Sequence, residues 1–431
     1  MVDFARSTDP GVQAQLDRLA KLSPAGDRLG LERIAEMLER LGRPQDRLPP
    51  VFHIAGTNGK GSSVAFVRAA LEAAGHEVHV FTSPHLVRFN ERIRVAGRLI
   101  DDATLAALLA EAIDAGAGLE PSFFEVATAA AFLAFAATPA AACLLEVGLG
   151  GRLDATNVIE QPVMTAIANL ALDHQQFLGD RLRDIAGEKA AIAKRDVPLV
   201  TQLYPPAIAN RIGEIAHQHG AIWLPRGNAW DASVREGRLR YHDERGELDL
   251  PLPRLRGRHQ ALNAGLAVAM LRHQDKLRVP GSAYRAAMGW ADWPARLQRL
   301  ADGPLTDGRE IWLDGGHNPS AARQVAIFAR KQFAGRPLHL IFASLTTKDP
   351  LGMLEPFAKL AVEVHCVPIP GHACFAPSEL VDAAATVGIP AQPHDSVAQA
   401  LASVPADAPA LILGSLYLAG TVLAANDEVP D

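Results

Sequence analysis

Between positions 51 and 201, short apolar runs alternate with stretches of helical periodicity. Apolar runs at 51–55, 77–81, 142–147, 163–169 and 197–201 read as strands, and 62–74, 104–115, 124–137 and 182–194 as helices. Strands that alternate with helices in this way predict a mainly parallel sheet covered on both faces. From 230 to 252 the pattern shortens to period two, with turns expected at Glu236-Gly237 and Arg245-Gly246, so a small antiparallel patch is predicted there. A helix at 260–274 follows, and then a stretch at 290–305 with Pro294, Gly303 and Pro304 that reads as a hinge. A second α/β series comes next, with strands at 311–313, 338–342, 363–367 and 411–413 and helices at 320–333 and 378–385. The expected fold class is α/β: a P-loop ATPase-like parallel-sheet domain over 1–296, with a small β insert near 225–256, and a smaller Rossmann-like domain over 297–431. A cleft is expected between them.

Composition narrows the function classes. The chain has 431 residues, 48% of them hydrophobic and 21% charged, enough for sizeable cores without disulfides. The formal net charge of −6 argues against a nucleic-acid or anionic-membrane partner. Positions 126–145 carry no charged residue and match a bilayer in length. They are mostly alanine and are broken by Pro139, which predicts a buried helix followed by a strand. The N-terminal segment is charged and lacks the apolar run of a signal peptide. Cys143, Cys366 and Cys374 have no metal-ligand spacing and read as free thiols of a reducing cytoplasm.

The strongest chemical signal is Gly56-Thr-Asn-Gly-Lys-Gly-Ser62, which joins an apolar strand to a helix. Glycines turn backbone N–H groups onto an anion, the helix N-terminus adds positive charge, and Lys60 can reach terminal phosphates. Ser62 can approach Mg²⁺. Glu146 ends the strand at 142–147, where a carboxylate meets the ligand crevice of an open α/β sheet, and Mg²⁺ needs only one or two such ligands. Asp173 and His174 follow the next strand and reach the same edge. Glu188 and Lys189 lie on a helix among small apolar residues, and their spacing alone selects neither for a role.

Taken together, these motifs resemble the dihydrofolate synthase/folylpolyglutamate synthase family of Mur-type, ATP-dependent amide ligases. The resemblance runs through 27–32, Gly56–Ser62, Thr82-Ser-Pro-His-Leu86, Phe89-Asn-Glu-Arg-Ile93, Glu146–Asn157 and Leu172-Asp-His174. It continues through Glu188-Lys189, Gly257–Asn263, Trp293–Leu297, Asp314-Gly-Gly-His-Asn-Pro319 and Gly414-Ser-Leu-Tyr417. It implies that Gly59, Lys60, Gly61 and Ser62 hold ATP phosphates, with Asn263, Arg296 and Asp314 as further ATP contacts. It implies Ser83, Glu146 and His174 as Mg²⁺ ligands and a carbamylated Lys189. His317 and Ser415 match positions near glutamate. Leu29, Gly30, Ser122, Phe123, Phe124, Glu125, Leu153, Asp154 and Ala155 match the pteroate site. Lys60, Arg296 and His317 are the implied catalytic groups. Gln298 stands where the family usually has Glu, and Gly316 where Ala is commoner.

The implied activity is ATP- and Mg²⁺-dependent joining of L-glutamate to dihydropteroate and to folates, in a cytoplasmic monomer. Alternatives are a monofunctional folylpolyglutamate synthase, a muramyl-type ligase and a non-catalytic nucleotide-binding protein. The muramyl reading lacks an expected UDP-binding domain before Gly30-Leu-Glu-Arg33.

Overall fold

A computed structural model describes residues 7–22 and 29–431, so Asp27 and Arg28 of the first family motif lie outside the described residues. The chain divides into two compact units, Met1–Arg254 with Gln260–Asp292, and Leu255–His259 with Trp293–Asp431.

The first unit opens with α1 (Pro10–Leu22) and α2 (Glu32–Arg40) and continues into β1 (Val51–Ala55), α3 (Lys60–Ala73) and β2 (Val78–Phe81). The short β3 (Ile93–Val95) and β4 (Arg98–Leu99) precede α4 (Asp102–Ala115), α5 (Phe123–Ala137) and β5 (Ala142–Glu146). Then come β6 (Met164–Ile167), α6 (Gln175–Leu178), α7 (Leu182–Ala190), β7 (Pro198–Thr201), α8 (Pro206–His219) and β8 (Ile222–Pro225). β9 (Trp230–Arg235), β10 (Arg238–Asp243) and β11 (Gly246–Pro251) form a separate antiparallel sheet, followed by α9 (Arg258–Arg272) and α10 (Gly281–Trp290).

The large sheet has the order β4-β3-β2-β5-β1-β6-β7-β8 and is parallel from β2 to β8. β5 lies between β1 and β2, so chain leaving β1 and chain leaving β6 turn to opposite sides. That is the switch point at which open α/β sheets place ligands. Every residue of β1 and β5 is buried, as the continuous apolar runs require. The uncharged stretch 126–145 is the body of α5, extended backbone at Thr138 before an exposed Pro139, and then β5, with the helix face and the strand buried in this core. Among the described residues no helix is long and apolar enough to cross a membrane.

The second unit contains β12 (Gln298–Arg299), β13 (Ile311–Leu313), α11 (Pro319–Gln332), β14 (Leu338–Phe342), α12 (Pro350–Leu354) and β15 (Ala361–Cys366). It closes with α13 (Pro377–Thr386), β16 (Ala391–Pro393), α14 (Val397–Ser403), β17 (Ala410–Leu413) and α15 (Leu416–Ala425). Its sheet runs β12-β13-β17-β14-β15-β16, parallel except for β12. The α/β class is as expected.

Two local expectations change. The helix expected over 182–194 ends at Ala190, where the chain turns towards β7. The second hairpin turn is Glu244-Arg245 instead of Arg245-Gly246, because Gly246 already pairs with Asp243. The stretch read as a hinge holds the boundary between the two units, after Asp292, and then β12, which pairs antiparallel with β13.

Candidate active site

The parallel strands of the first unit deliver their following residues to one sheet edge. The phosphate loop follows β1, Ser83 follows β2, Glu146 ends β5 and His174 follows β6. Those strands are neighbours in the order β2-β5-β1-β6. Topology thus gathers residues that are far apart in sequence.

Backbone bonds fix the loop. Thr57 and Asn58 N–H groups donate to the Asn169 carbonyl at 2.8 and 3.1 Å, and Thr57 Oγ1 donates to the Ala171 carbonyl at 3.0 Å. Gly59 caps α3 in the left-handed region, φ 86°, which costs a side chain about 1–2 kcal/mol. A Cβ there would lie 2.5 Å from Asn263 Oδ1, so the glycine also admits the Asn263 amide. Asn263 is held in turn by Gln260 Oε1 at 3.1 Å. Ser62 is buried in the first turn of α3.

Lys60 Nζ stands 3.7 Å from Glu146 Oε1, with both side chains mostly buried. At that range the attraction is roughly 4 kcal/mol for an effective dielectric near ~20, which offsets part of the desolvation cost. Arg152 pairs with Glu188 at 2.9 Å. Lys189 is buried. Burial first, and then the Lys60 charge, push its ammonium down to about 7, against the opposing pull of Asp173, Asp154 and Glu188. Asp154 accepts from Leu149 N, Thr156 N and Thr156 Oγ1, yet burial still raises its pKa. His174 adopts φ 52° with its Nε2 4.0 Å from Asp173 Oδ1. The donor set suits Mg²⁺: a carboxylate, a hydroxyl and an imidazole at one edge leave room for the waters that this ion keeps.

In the second unit Asp314 follows β13 and is buried. Its Oδ2 accepts from Leu297 N and its Oδ1 from Gly316 N, both at 2.8 Å. Burial raises its pKa, while Arg296 and these bonds lower it. Ala295 and Leu297 have φ 55° and 44°, so Arg296 sits at the tip of a strained turn that Asp314 pins. Gly315 N donates to the Ala295 carbonyl at 2.9 Å, and a Cβ on Gly315 would come within 2.9 Å of Arg296 Nη1. His317 Nδ1 is 3.0 Å from the Gly315 carbonyl oxygen, which can only accept. The hydrogen therefore sits on Nδ1, and in the neutral ring Nε2 carries the lone pair. Asn318, and not His317, caps α11, by accepting from Ala321 N at 3.0 Å. Ser415 caps α15 through Tyr417 N at 3.1 Å.

No protein-family model matches the chain. Individual proteins do. The dihydrofolate synthase/folylpolyglutamate synthase of Escherichia coli K12 is 33% identical over 404 residues, spanning 93% of this chain and 92% of that protein. The solved structure of E. coli FolC in complex with DHPP and ADP superimposes with a TM-score of 0.88 at 32% identity, over 96% of this chain and 97% of that one. A bifunctional folylpolyglutamate synthase/dihydrofolate synthase with Mn, AMPPNP and L-glutamate bound gives a TM-score of 0.86 at 30% identity, over 97% and 98%. This chain belongs to the dihydrofolate synthase/folylpolyglutamate synthase family.

The segments that resemble the family's pteroate site are well built. Ser122 and Glu125 form a capping box at the start of α5: Ser122 N donates to Glu125 Oε2 at 2.7 Å, and Glu125 N to Ser122 Oγ at 3.2 Å. Arg33 Nε reaches the same Oε2 at 3.2 Å. Phe123 meets Phe89 edge-on with the Arg92 guanidinium over both rings, and Phe124 packs on Phe81 and against Gly148. Both phenylalanines are thus packed against the core. Leu29, Gly30 and Leu153 are half-buried, and Ala155 is buried in the 3₁₀ turn that Asp154 caps. Sequence reasoning missed two features. His53 lies buried on β1 with Nε2 2.7 Å from Thr156 Oγ1, which ties the phosphate-loop strand to Asp154. Gln298 accepts from Ala295 N at 2.8 Å and donates to Glu428 Oε2 at 2.9 Å, bracing the Arg296 turn. A glutamate could accept but not donate, so this departure from the family pattern has a local reason.

Proposed function

We propose that this chain is an ATP-dependent amide ligase. It joins the carboxylate of dihydropteroate, and the terminal carboxylate of folates, to the α-amine of L-glutamate. The observation that carries the reading is the arrangement at the switch point of the large sheet: a glycine loop and Lys60 facing Glu146, with Lys189 buried beside them.

A carboxylate is a poor acyl donor. Transfer of the ATP γ-phosphoryl to it gives an acyl phosphate and ADP. The glutamate amine then attacks the acyl carbon, the C–O bond to phosphate breaks, and phosphate leaves. In such transfers the protein contributes mainly positioning and charge neutralisation. Lys60 and the backbone of Gly59, Gly61 and Ser62 hold phosphate oxygens, and Arg296 adds a second positive charge. Asn263 and Asp314 position the nucleotide, Asp314 by fixing the Arg296 turn. His317 Nε2 accepts the amine proton, and Ser415 helps to place glutamate. Ser83, Glu146 and His174 hold Mg²⁺, which when bound supplies charge neutralisation for the transferring phosphoryl.

Lys189 is assigned as carbamylated. Its neutral amine adds to CO₂, an N–C bond forms, one C=O π pair becomes carboxylate, and the amine proton leaves to solvent. Burial favours the neutral amine this step needs. Leu29, Gly30, Ser122–Glu125 and Leu153–Ala155 are assigned to the pteroate. The ATP-binding part is assigned to 1–296, with the strands near 225–256 as an insert, and the glutamate-handling part to 297–431. The reading carries with it a monomer of the cytoplasm, and the net charge of −6 supports the absence of nucleic-acid and anionic-membrane partners.

The test is phosphate release from ATP with dihydropteroate and L-glutamate, repeated with a folate. Release that needs all three components is expected with either acceptor. Release with the folate alone makes the chain monofunctional, and release with neither rejects the ligase.

A further inference from the structure

The second unit buries three histidines in a row. His339 Nδ1 lies 3.0 Å from His365 Nε2, and His365 Nδ1 lies 3.0 Å from His394 Nε2. All three are buried, and Glu363 stands beside the first two, its Oε2 3.8 Å from His339 Nδ1 and 3.6 Å from His365 Nε2. Strand pairing explains the meeting. His339 on β14 is the register partner of Glu363 on β15, and His365 is two residues further along β15, hence on the same face. Leu338, Leu340 and Phe342 point to the other face, into the hydrophobic core.

We infer that His339, Glu363 and His365 form a site for a tetrahedral divalent cation, zinc above all, on the adjacent strands β14 and β15 of the second unit. The three ligand atoms are 3.0, 3.6 and 3.8 Å apart and lie on a circle of radius about 2.0 Å, the length of a Zn–N or Zn–O bond. A zinc ion near the centre of that circle lies within bonding reach of all three atoms once the two imidazoles turn from each other towards it, and a fourth position is left for water. The surrounding hydrogen bonds fit this reading. With zinc on Nε2, His365 keeps its hydrogen on Nδ1, which lies 3.0 Å from His394 Nε2 and donates to it, so the metal and this bond select the same tautomer. The other oxygen of Glu363, Oε1, accepts from Gln392 Nε2 at 2.8 Å. Glu363 is 27% exposed at its side chain, which gives the ion a way in. Mg²⁺ does not suit this set, because it demands six mostly oxygen ligands in octahedral geometry.

The site is separate from the nucleotide chemistry. His339 pairs with Ala410 at the start of β17, whereas Asp314 and Ser415 follow the far ends of β13 and β17. From His339 that is about 10–13 Å along the strand at the usual rise. His365, level with Ile412, is set apart sideways, because β15 lies three strands from β13, about 14 Å at the usual strand spacing. The ion would pin β14 to β15 and, through His394, to the end of the edge strand β16.

The test titrates zinc chloride into the full-length chain, first freed of metal by chelator and then held in excess Mg²⁺. Calorimetry gives the stoichiometry, and Co²⁺ in place of zinc gives the visible spectrum. Wild type should take up one zinc per chain, gain in melting temperature, and show the absorption of four-coordinate Co²⁺. Glu363→Gln and His339→Gln should lose that zinc, with affinity at least a hundredfold weaker, while in chelator Glu363→Gln melts with wild type. His394→Ala, which removes only the orienting bond, should weaken binding by about tenfold to a hundredfold. No zinc uptake by wild type, or uptake unchanged in Glu363→Gln, overturns the site. If His339→Gln fails to fold, Glu363→Gln decides alone.

Discussion

The two units bury polar groups beside parallel sheets in opposite ways. In the first, Lys60, Glu146, Asp154, Asp173 and Lys189 crowd the carboxyl ends of the strands, and burial together with the Lys60 charge lowers the Lys189 ammonium to about 7. In the second, His339, His365 and His394 pass hydrogen bonds from one ring to the next, and burial lowers the pKa of His339 and pushes that of His365 down to about 4. Charges held close together are costly in the folded state and useful only if a charged substrate completes them. A neutral ladder satisfies itself and costs little. The first cluster should therefore respond mainly in turnover and the second mainly in stability.

The largest effect expected is at Lys189. Lys189→Ala should lower kcat by about a thousandfold, the upper range for a single electrostatic group. A short carboxylic acid such as acetate should restore part of the loss. Lys189→Arg keeps a cation but cannot form the same carbamate, so it should stay inactive. Steady-state phosphate release checks both, and a ¹³C signal from labelled bicarbonate reports the adduct. An active Lys189→Arg enzyme would remove the carbamate from the mechanism.

Next is Lys60→Ala, with kcat/KM down about a hundredfold and melting temperature near wild type. Loss of fold together with activity would show that the Lys60–Glu146 pair is structural, and the contrast between the units would collapse.

These two positions also show how far the sequence was legible. The phosphate loop could be read because its signal is local: strand, glycines, lysine and helix within twelve residues. β1, β14 and the helix at α9 follow the apolar runs for the same reason. The histidine ladder could not be read. Its members are 26 and 29 residues apart and meet only through parallel register, which no single strand encodes. The Arg296 turn was equally hidden, because its left-handed residues are Ala295 and Leu297, neither of which announces positive φ. Asp314 was legible as a site residue through family resemblance alone. Its local task, holding Leu297 and Gly316 N–H groups, emerged only from geometry. β8 went unassigned because its positions are exposed or half-buried, whereas α8 buries Ile208, Ile212, Ile215 and Ala216 at helical spacing, a local signal that was present in the sequence and not used.

A smaller effect separates the loop from ordinary turns. Gly59→Ala meets both a left-handed φ and Asn263 Oδ1 at 2.5 Å, whereas Gly371→Ala in the second unit meets φ 77° in open space. Both lose about 1 kcal/mol to the backbone. Only Gly59→Ala must also displace the buried Asn263 amide, so its KM for ATP should rise about tenfold while Gly371→Ala leaves KM unchanged. Equal KM values in the two variants would mean that Asn263 yields freely and does not shape the nucleotide site.

The smallest effect is a pH dependence. Burial holds His365 at about 4, below the usual histidine value of about 6.5, so the unfolded chain binds more protons than the folded one between those values. The ladder's contribution is therefore complete above pH ~6.5 and is lost progressively as pH falls towards 4. Between pH 7.5 and 5, in chelator, the melting temperature should drop by a few degrees. His53 in the first unit, held at about 3, and His259, at about 4, act in the same direction, so wild type alone cannot apportion the loss. The pair of substitutions His339→Leu and His365→Leu separates them, because it removes both partners of one buried bond and leaves His53 and His259 in place. The doubly substituted chain should keep only the shallower part of the pH slope. A slope equal to wild type would assign the acid sensitivity to the other histidines that burial lowers, His53, His79 and His259, and the ladder would then be a packing feature without a titration of its own.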